Sequence, residues 1–234
     1  MSDQTRIALV GATGLIGTSL IKKAVGRADF RIVAIARNEM ALPPGARMEV
    51  LVAPTEGWNE ALAAASAPIF ACALGTTWSK AGQDEEAFRA VDEELVLDNA
   101  RAAKEAGAEH AIVISSVGAD PMTSNFYLRV KGEVERELRK IGFKRLDIIR
   151  PGLLRGQRSN DRRILERLGI MASPFGNLFL QGEKRKYRAI DAETVAEAML
   201  FFAGEKAGGK FVHENDAIHR AASKLDRETP ISTA

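Results

Sequence analysis

Short apolar runs recur along the chain, with amphipathic stretches between them. Ile7–Val10, Ile32–Ala36, Val50–Val52, Ile69–Leu74, Ala111–Ile114 and Leu146–Ile149 are continuous rather than alternating. That pattern predicts strands covered on both faces. Between them, Leu15, Ile16, Leu20 and Ile21 repeat at helical spacing, as do Phe88, Val91, Leu95 and Ala102 in a segment starting near Asp84. A third helix is predicted over 124–141, with Gly142 as its stop. Repeated strand–helix order predicts an α/β fold of Rossmann type: a doubly wound parallel sheet with right-handed crossovers and helices on both faces. Leu42-Pro43-Pro44-Gly45 reads as a connecting turn. After Arg150 the rhythm breaks at Pro151-Gly152, and a stretch rich in Arg, Gly, Ser and Asn runs to about Asp161. Apolar periodicity returns around Ile164–Met171 and again over Asp191–Phe202, and Lys210–Val212 reads as a last strand. There is no internal repeat and no flexible linker. The expectation is one domain over 1–234, with a core over 1–150 and a small C-terminal segment, 151–234, that completes the sheet and caps the substrate side.

Composition narrows the partners. In 234 residues, 33 Lys and Arg stand against 31 Asp and Glu, a formal charge of +2. This balance lacks the electrostatic footprint of a nucleic-acid binder, although a pI near 8.7 leaves room for a local basic patch. The single cysteine, Cys72, excludes an internal disulfide and sits in an apolar run that makes it a buried, inert thiol. No run approaches the roughly 18–20 apolar residues of a membrane span. The first residues, Met1-Ser2-Asp3-Gln4-Thr5-Arg6, lack the basic start and apolar segment of a secretory signal. A cytoplasmic protein with neither nucleic-acid nor membrane partners is expected.

The first strand runs straight into Gly11-Ala12-Thr13-Gly14-Leu15-Ile16-Gly17 and then a helix. Strand, tight glycine turn and helix N-terminus follow in the order a dinucleotide site requires. The glycines let a pyrophosphate approach the backbone, and the helix end offers unpaired N–H groups with a partial positive charge. The spacing is G-x-x-G-x-x-G rather than the commoner G-x-G-x-x-G. Its place between first strand and first helix separates it from a merely tight turn. Gly11, Thr13, Gly14, Leu15, Ile16 and Gly17 are therefore candidate cofactor contacts. The second strand ends Ala36-Arg37-Asn38, with no acid before Glu39. An acid there would take a ribose 2′-hydroxyl, whereas Arg37 suits a 2′-phosphate, so NADP(H) is favoured over NAD(H).

The strand Ala111–Ile114 ends in Ser115-Ser116, and Tyr127 follows inside the predicted third helix with Lys131 four residues on. Residues four apart share a helical face, so phenol and ammonium can act on one space. A phenol near a cation can give or take the proton that accompanies hydride transfer at a carbonyl. A strand-end serine can polarise the substrate oxygen.

The chain resembles the short-chain dehydrogenase/reductase superfamily, with an atypical or extended-type glycine motif, over about residues 6–200. It is most similar to the Tat-interacting, oxidoreductase-like group. The resemblance is carried by Gly11–Gly17, Leu74-Gly75-Thr76-Thr77, Lys80-Ala81-Gly82, Val91-Asp92, Ser115–Ala119, Phe126–Glu135 and Arg150-Pro151-Gly152. It implies a Rossmann sheet, an NADPH-type cofactor and a site of Ser116, Tyr127 and Lys131, the second serine of the pair being the one that usually carries the role. It further implies that Leu74, Gly75 and Thr76 line the cofactor and that Pro151 and Leu153 approach the nicotinamide through backbone atoms. Tyr127 and Lys131 count among the cofactor contacts as well. Two positions depart from the pattern. Asp92 stands where many relatives carry an Asn that supports a proton relay, on a stripe Phe88, Asp92, Leu95, Asn99, Ala102 that either turns both polar side chains inward or leaves Asp92 an ordinary helix-edge carboxylate. The third strand ends Val52-Ala53-Pro54, where relatives often place an Asp that reads the adenine.

Arg155, Arg158, Arg162, Arg163, Arg167, Lys184, Arg185, Lys186 and Arg188 gather in the C-terminal segment, either to hold an anionic substrate or as a solvated face. His110, His213 and His219 are too scattered in sequence for a metal site, and Trp58 and Trp78 read as packing residues. The expected function is hydride transfer between NADP(H) and a small carbonyl or alcohol substrate. The alternative is an NADPH-binding regulatory or scaffold protein, because the Tat-interacting group implies partner binding as well. A homodimer through the helices over 84–106 and 124–141 is compatible with the fold. An epimerase or dehydratase of nucleotide sugars is disfavoured by the short C-terminal part.

Overall fold

A computed structural model describes residues 4–77, 79–155 and 182–228. The apolar runs form β1 (Thr5–Val10), β2 (Phe30–Ala36), β3 (Glu49–Val52), β4 (Ile69–Cys72), β5 (His110–Ile114) and β6 (Arg145–Ile149). Beyond them lie β7 (Leu154–Arg155), β8 (Ile190–Asp191) and β9 (Gly209–His213). Seven strands make one sheet in the order β3-β2-β1-β4-β5-β6-β9, with every pairing parallel. The expected Rossmann-type α/β fold is the fold observed. The last strand anticipated at 210–212 closes one sheet edge, and β7 and β8 form a separate parallel ribbon.

Side chains alternate across each strand and so divide the core into two layers. Val10, Val33, Phe70, Val113 and Ile148 face α2 (Trp58–Ala65), α4 (Leu95–Glu105) and α5 (Phe126–Ile141). Leu9, Ile32, Ala34, Ile112 and Ile149 face α1 (Leu15–Ala24), α6 (Ala192–Gly204) and α7 (Asn215–Glu228). Cys72 and Trp58 are packing residues, as expected, and the Trp58 ring N–H donates to the Ala53 carbonyl at 3.0 Å. The helix anticipated around Ile164–Met171, the basic residues Arg158, Arg162, Arg163 and Arg167, and Trp78 fall outside the described residues.

Two helix starts decide the site's geometry. Asp84 caps the short α3 (Glu85–Arg89) by accepting from the Ala87 N–H at 2.8 Å, and Asn125 caps α5 by accepting from Leu128 N–H at 3.0 Å. The stretch expected as one helix from Asp84 is not uniform. Between α3 and α4 the chain runs through a π-helical turn over Ala90–Glu94. Such turns carry one extra residue and occur disproportionately at functional sites. Just before it, the fully buried Phe88 meets Phe126 and Tyr127 edge-on, each with ring centroids 5.6 Å apart. This contact anchors α3 to the first turn of α5, and its burial contributes about 1.5–3 kcal/mol.

Candidate active site at the carboxyl edge of the sheet

The strand order reverses direction between β1 and β4, which opens a crevice at their carboxyl ends, the usual ligand position in an open α/β sheet. Gly11 enters the crevice at φ +80°, and a Cβ on it would collide with the backbone of Ala73 and Leu74. A Cβ on Gly17 would collide with the Gly11 carbonyl in the same way. Only glycine lets β1, the loop and α1 come this close. No side chain caps α1, so its first-turn N–H groups face the crevice with their partial positive charge. Thr13 is exposed and Leu15 half-buried, whereas Ile16 is sunk in the core and can offer a ligand only its backbone. Arg37, one residue past β2, is exposed and makes no hydrogen bond or ion pair among the described residues.

Across the crevice, Leu74, Gly75 and Thr76 follow β4. The Thr76 N–H donates to Asp92 Oδ2 at 2.7 Å. Asp92 is fully buried and comes from the π turn, and its other oxygen lies 2.7 Å from Lys131 Nζ on α5. That oxygen takes no hydrogen bond of good angle, so the contact is chiefly one of charge. Burial lowers the Lys131 proton affinity, but the negative charge of Asp92 and the neighbouring Tyr127 outweigh it and raise the net value. Lys131 is therefore an ammonium at neutral pH, although only 5% of its surface is exposed. Tyr127 is half-buried, one turn back on the same helical face.

The two serines of the β5 end separate cleanly. Ser115 is buried and donates to Glu135 Oε1 at 2.6 Å. Glu135 is itself clamped by Arg150 through two bonds of 2.7 and 2.6 Å. Ser115 thus ties β5 to α5 and β6. Ser116 is half-buried, and its hydroxyl makes only a long 3.4 Å contact to the Val117 carbonyl. Its loop is pressed onto α5 because Gly132 lets the Asp120–Pro121 backbone approach to within what would be overlap with any Cβ. On the far wall, the Pro151 carbonyl accepts from Val117 N–H at 3.1 Å and the Leu153 carbonyl from Ile190 N–H at 2.9 Å, each with a second lone pair remaining.

A second polar cluster escaped the sequence reading. Asp147, in the middle of β6, is fully buried between His110 of β5 and His213 of β9, with an Nε2 of each ring 2.7 Å from one of its oxygens. Arg145 adds two bonds of 2.6 and 2.9 Å. Burial opposes ionisation here, but the bonds from His110, His213 and Arg145 win and hold the carboxyl well below the usual carboxylate range. Residues 37 and 66 positions from Asp147 meet on it through parallel register, which sequence spacing cannot show. Among the described residues no group of three or more His, Cys, Asp or Glu is placed to hold a metal ion. A cavity of about 520 Å³ lies at the opposite end of β1 and β2, lined by Ile21, Phe30 and Met48 with Gln4, Arg27 and Arg47. It holds none of these acid–base groups.

Comparison with known proteins accords with the crevice. A family described as NAD(P)H-binding matches residues 11–201. The mitochondrial protein fmp52 of Aspergillus fumigatus is 36% identical over 208 residues, covering 86% of this chain and 87% of the relative. FMP52 of Saccharomyces cerevisiae, also named mitochondrial, is 34% identical over 158 residues, covering 66% and 68%. Among solved structures, MoeE5 in complex with UDP-glucuronic acid and NAD superposes with a TM-score of 0.66 at 17% identity, over 94% of this chain and 82% of that one. The serine dehydrogenase of Escherichia coli gives 0.62 at 17% identity, over 91% and 98%. At such identity these two establish the shared fold. The names of the sequence relatives overturn the expectation of a cytoplasmic protein. That expectation rested on a missing secretory signal and a lone cysteine. Neither feature separates the cytosol from a mitochondrion.

Proposed function

This chain belongs to the NAD(P)H-binding family, and from that premise we propose that it is an NADP(H)-dependent oxidoreductase acting on a small carbonyl or alcohol substrate. The observation that carries the reading is the buried Lys131 ammonium, held by Asp92 on the helical face it shares with Tyr127, beside the glycine crevice. A buried cation is costly to desolvate, and such charges in a crevice beside a titratable group cluster at functional sites.

The crevice fits a dinucleotide. Its glycines let β1, the loop and α1 pack too closely for any Cβ, the α1 N-terminus has no side-chain cap, and Arg37 is exposed beside it. The backbone of Gly11, Thr13, Gly14, Leu15, Ile16 and Gly17 would hold the pyrophosphate. Arg37 would take a 2′-phosphate, and Leu74, Gly75 and Thr76 would line the groove. Lys131 would hold the ribose together with Tyr127, and Pro151 and Leu153 would approach the nicotinamide through backbone atoms. Bound there, NADPH would supply hydride to the carbonyl carbon. Ser116, whose hydroxyl is weakly engaged, would orient the substrate oxygen, and Tyr127 would give that oxygen its proton. We place the chain with the atypical or extended-type short-chain dehydrogenase/reductases, nearest the Tat-interacting group. Residues 1–150 would form the cofactor core, and 151–234 would cap the substrate and complete the sheet.

A panel of carbonyls and quinones with NADPH tests this reading. Tyr127→Phe should reduce turnover by about 10²–10⁴ with NADPH still bound. Equal slowness of both proteins on every compound would leave NADPH-dependent partner binding as the function. Arg37→Ala should weaken NADPH about tenfold or more and leave NADH unchanged. Unaltered NADPH affinity would remove the preference for NADP(H).

A further inference from the structure

Asp92 stands 2.7 Å from Lys131 Nζ with both groups sealed from solvent. A lone ammonium beside a phenol favours the phenolate, but an ammonium joined to a carboxylate is a neutral pair and does so far less. The Asp92 carboxylate cannot drift from this position. Its second oxygen is fastened to the Thr76 N–H at 2.7 Å, and its backbone belongs to the π turn. Gly75 packs beside the carboxylate, with room for a Cβ at an ordinary contact distance of 3.5 Å from Asp92 Oδ1.

Among the described residues, titratable neighbours of the pair are either uncharged or already paired. From β4, Cys72 faces it with a thiol that burial pushes up to about 12, so this neighbour is uncharged. On α5, Glu135 is one turn beyond Lys131 and is held by Ser115 and Arg150. Arg89 of α3 is paired with Glu93 and Glu133.

We propose that Asp92 is a positioning residue that cancels the charge of Lys131, so that Tyr127 serves as a neutral proton donor and the site is set for carbonyl reduction rather than alcohol oxidation. As the carbonyl carbon gains hydride from NADPH, its oxygen gains negative charge. The Tyr127 Oη–H bond breaks, an O–H bond forms on the product, and the phenolate regains a proton from water. The ordinary wish of such a site, a phenolate ready to act as base, is suppressed by one carboxylate. The same residue bonds the Thr76 amide, which couples the loop that would line the cofactor to the state of the proton donor.

This inference rests on the reading of Tyr127 as proton donor, but it can be tested without substrate or cofactor. The chain has two tyrosines, so in a Tyr187→Phe background the ultraviolet absorbance of phenolate reports Tyr127 alone. Asp92→Asn should move the Tyr127 titration midpoint down by about one pH unit or more, a tenfold rise in phenolate at fixed pH. Asp92→Glu, which keeps the charge, should leave it near the parent value. An unchanged or raised midpoint in Asp92→Asn overturns the proposal. If Asp92→Asn does not fold, Asp92→Ser is titrated instead and judged by the same outcomes. A titration shift with normal turnover in Tyr127→Phe would instead retain the charge cancellation and remove the catalytic role of Tyr127.

Discussion

Two aspartates lie at the heart of this molecule, both fully buried, and they differ in how completely they are satisfied. Asp147 accepts four hydrogen bonds, two on each oxygen, from Arg145, His110 and His213. Asp92 has one backbone N–H on one oxygen and a single ammonium, without a well-aligned bond, on the other. Full satisfaction makes a rigid structural joint, here tying β5, β6 and β9 together beneath α6, where Phe202 stacks on His213 at 3.8 Å. Partial satisfaction leaves an electrostatic lever. Glu135, saturated by Ser115 and Arg150, belongs with Asp147. The difference explains why a carboxylate at the crevice can influence chemistry while the better-bonded one cannot.

Removing the charge should expose the contrast. Asp147→Asn sets an amide donor against guanidinium and imidazole donors, and Arg145 cannot shed its charge. A loss of about 3–5 kcal/mol in urea unfolding is expected, and a loss under about 1 kcal/mol would show that the cluster is not structural. The wild type should also be acid-sensitive in a way the variant is not. Because Asp147 is held below the ordinary carboxylate range, its contribution is complete above about pH 4 and fades as the pH falls further. Unfolding free energy should therefore drop more steeply below about pH 4 in the wild type than in Asp147→Asn. Parallel curves would contradict the assignment. Asp92→Asn should cost less, about 1–3 kcal/mol, since it forfeits one partner of two. Equal losses at Asp92 and Asp147 would erase the distinction. The smallest effect belongs to Lys23, which joins α1 to Glu197 of α6 at the same 2.7 Å but with about a third of its side chain in water. Lys23→Ala should change stability by less than about 1 kcal/mol. A larger loss would mean that distance, not burial, ranks these pairs.

Much of this architecture was legible in the sequence, because strands buried on both faces have no choice but to be continuously apolar. The glycine turn after β1 was legible for a related reason, since Gly11 and Gly17 leave no room for a side chain. The stripe from Phe88 to Ala102 did turn Asp92 and Asn99 inward, and both are buried. What the stripe could not disclose was the π turn, because a spacing of four residues suits α and π geometry alike. The Asp147 cluster was illegible for another reason: His110, Asp147 and His213 are neighbours only through the register of three parallel strands. The helix α7 left a fainter trace, with Ile218, Ala221, Ala222 and Leu225 on one face. Two of those four are alanines, which mark a buried face weakly.

The π turn also fixes how this site could be gained or lost in evolution. Excising one residue between Ala90 and Glu94 would let the ladder close as ordinary α-helix, and because a π turn absorbs its extra residue within about one turn, Phe88 would keep nearly its present direction. The residues inside the turn, Asp92 among them, would be re-aimed or lost. A single in-frame codon deletion thus separates this arrangement from one without the lever, a far shorter path than assembling a new carboxylate in a packed core.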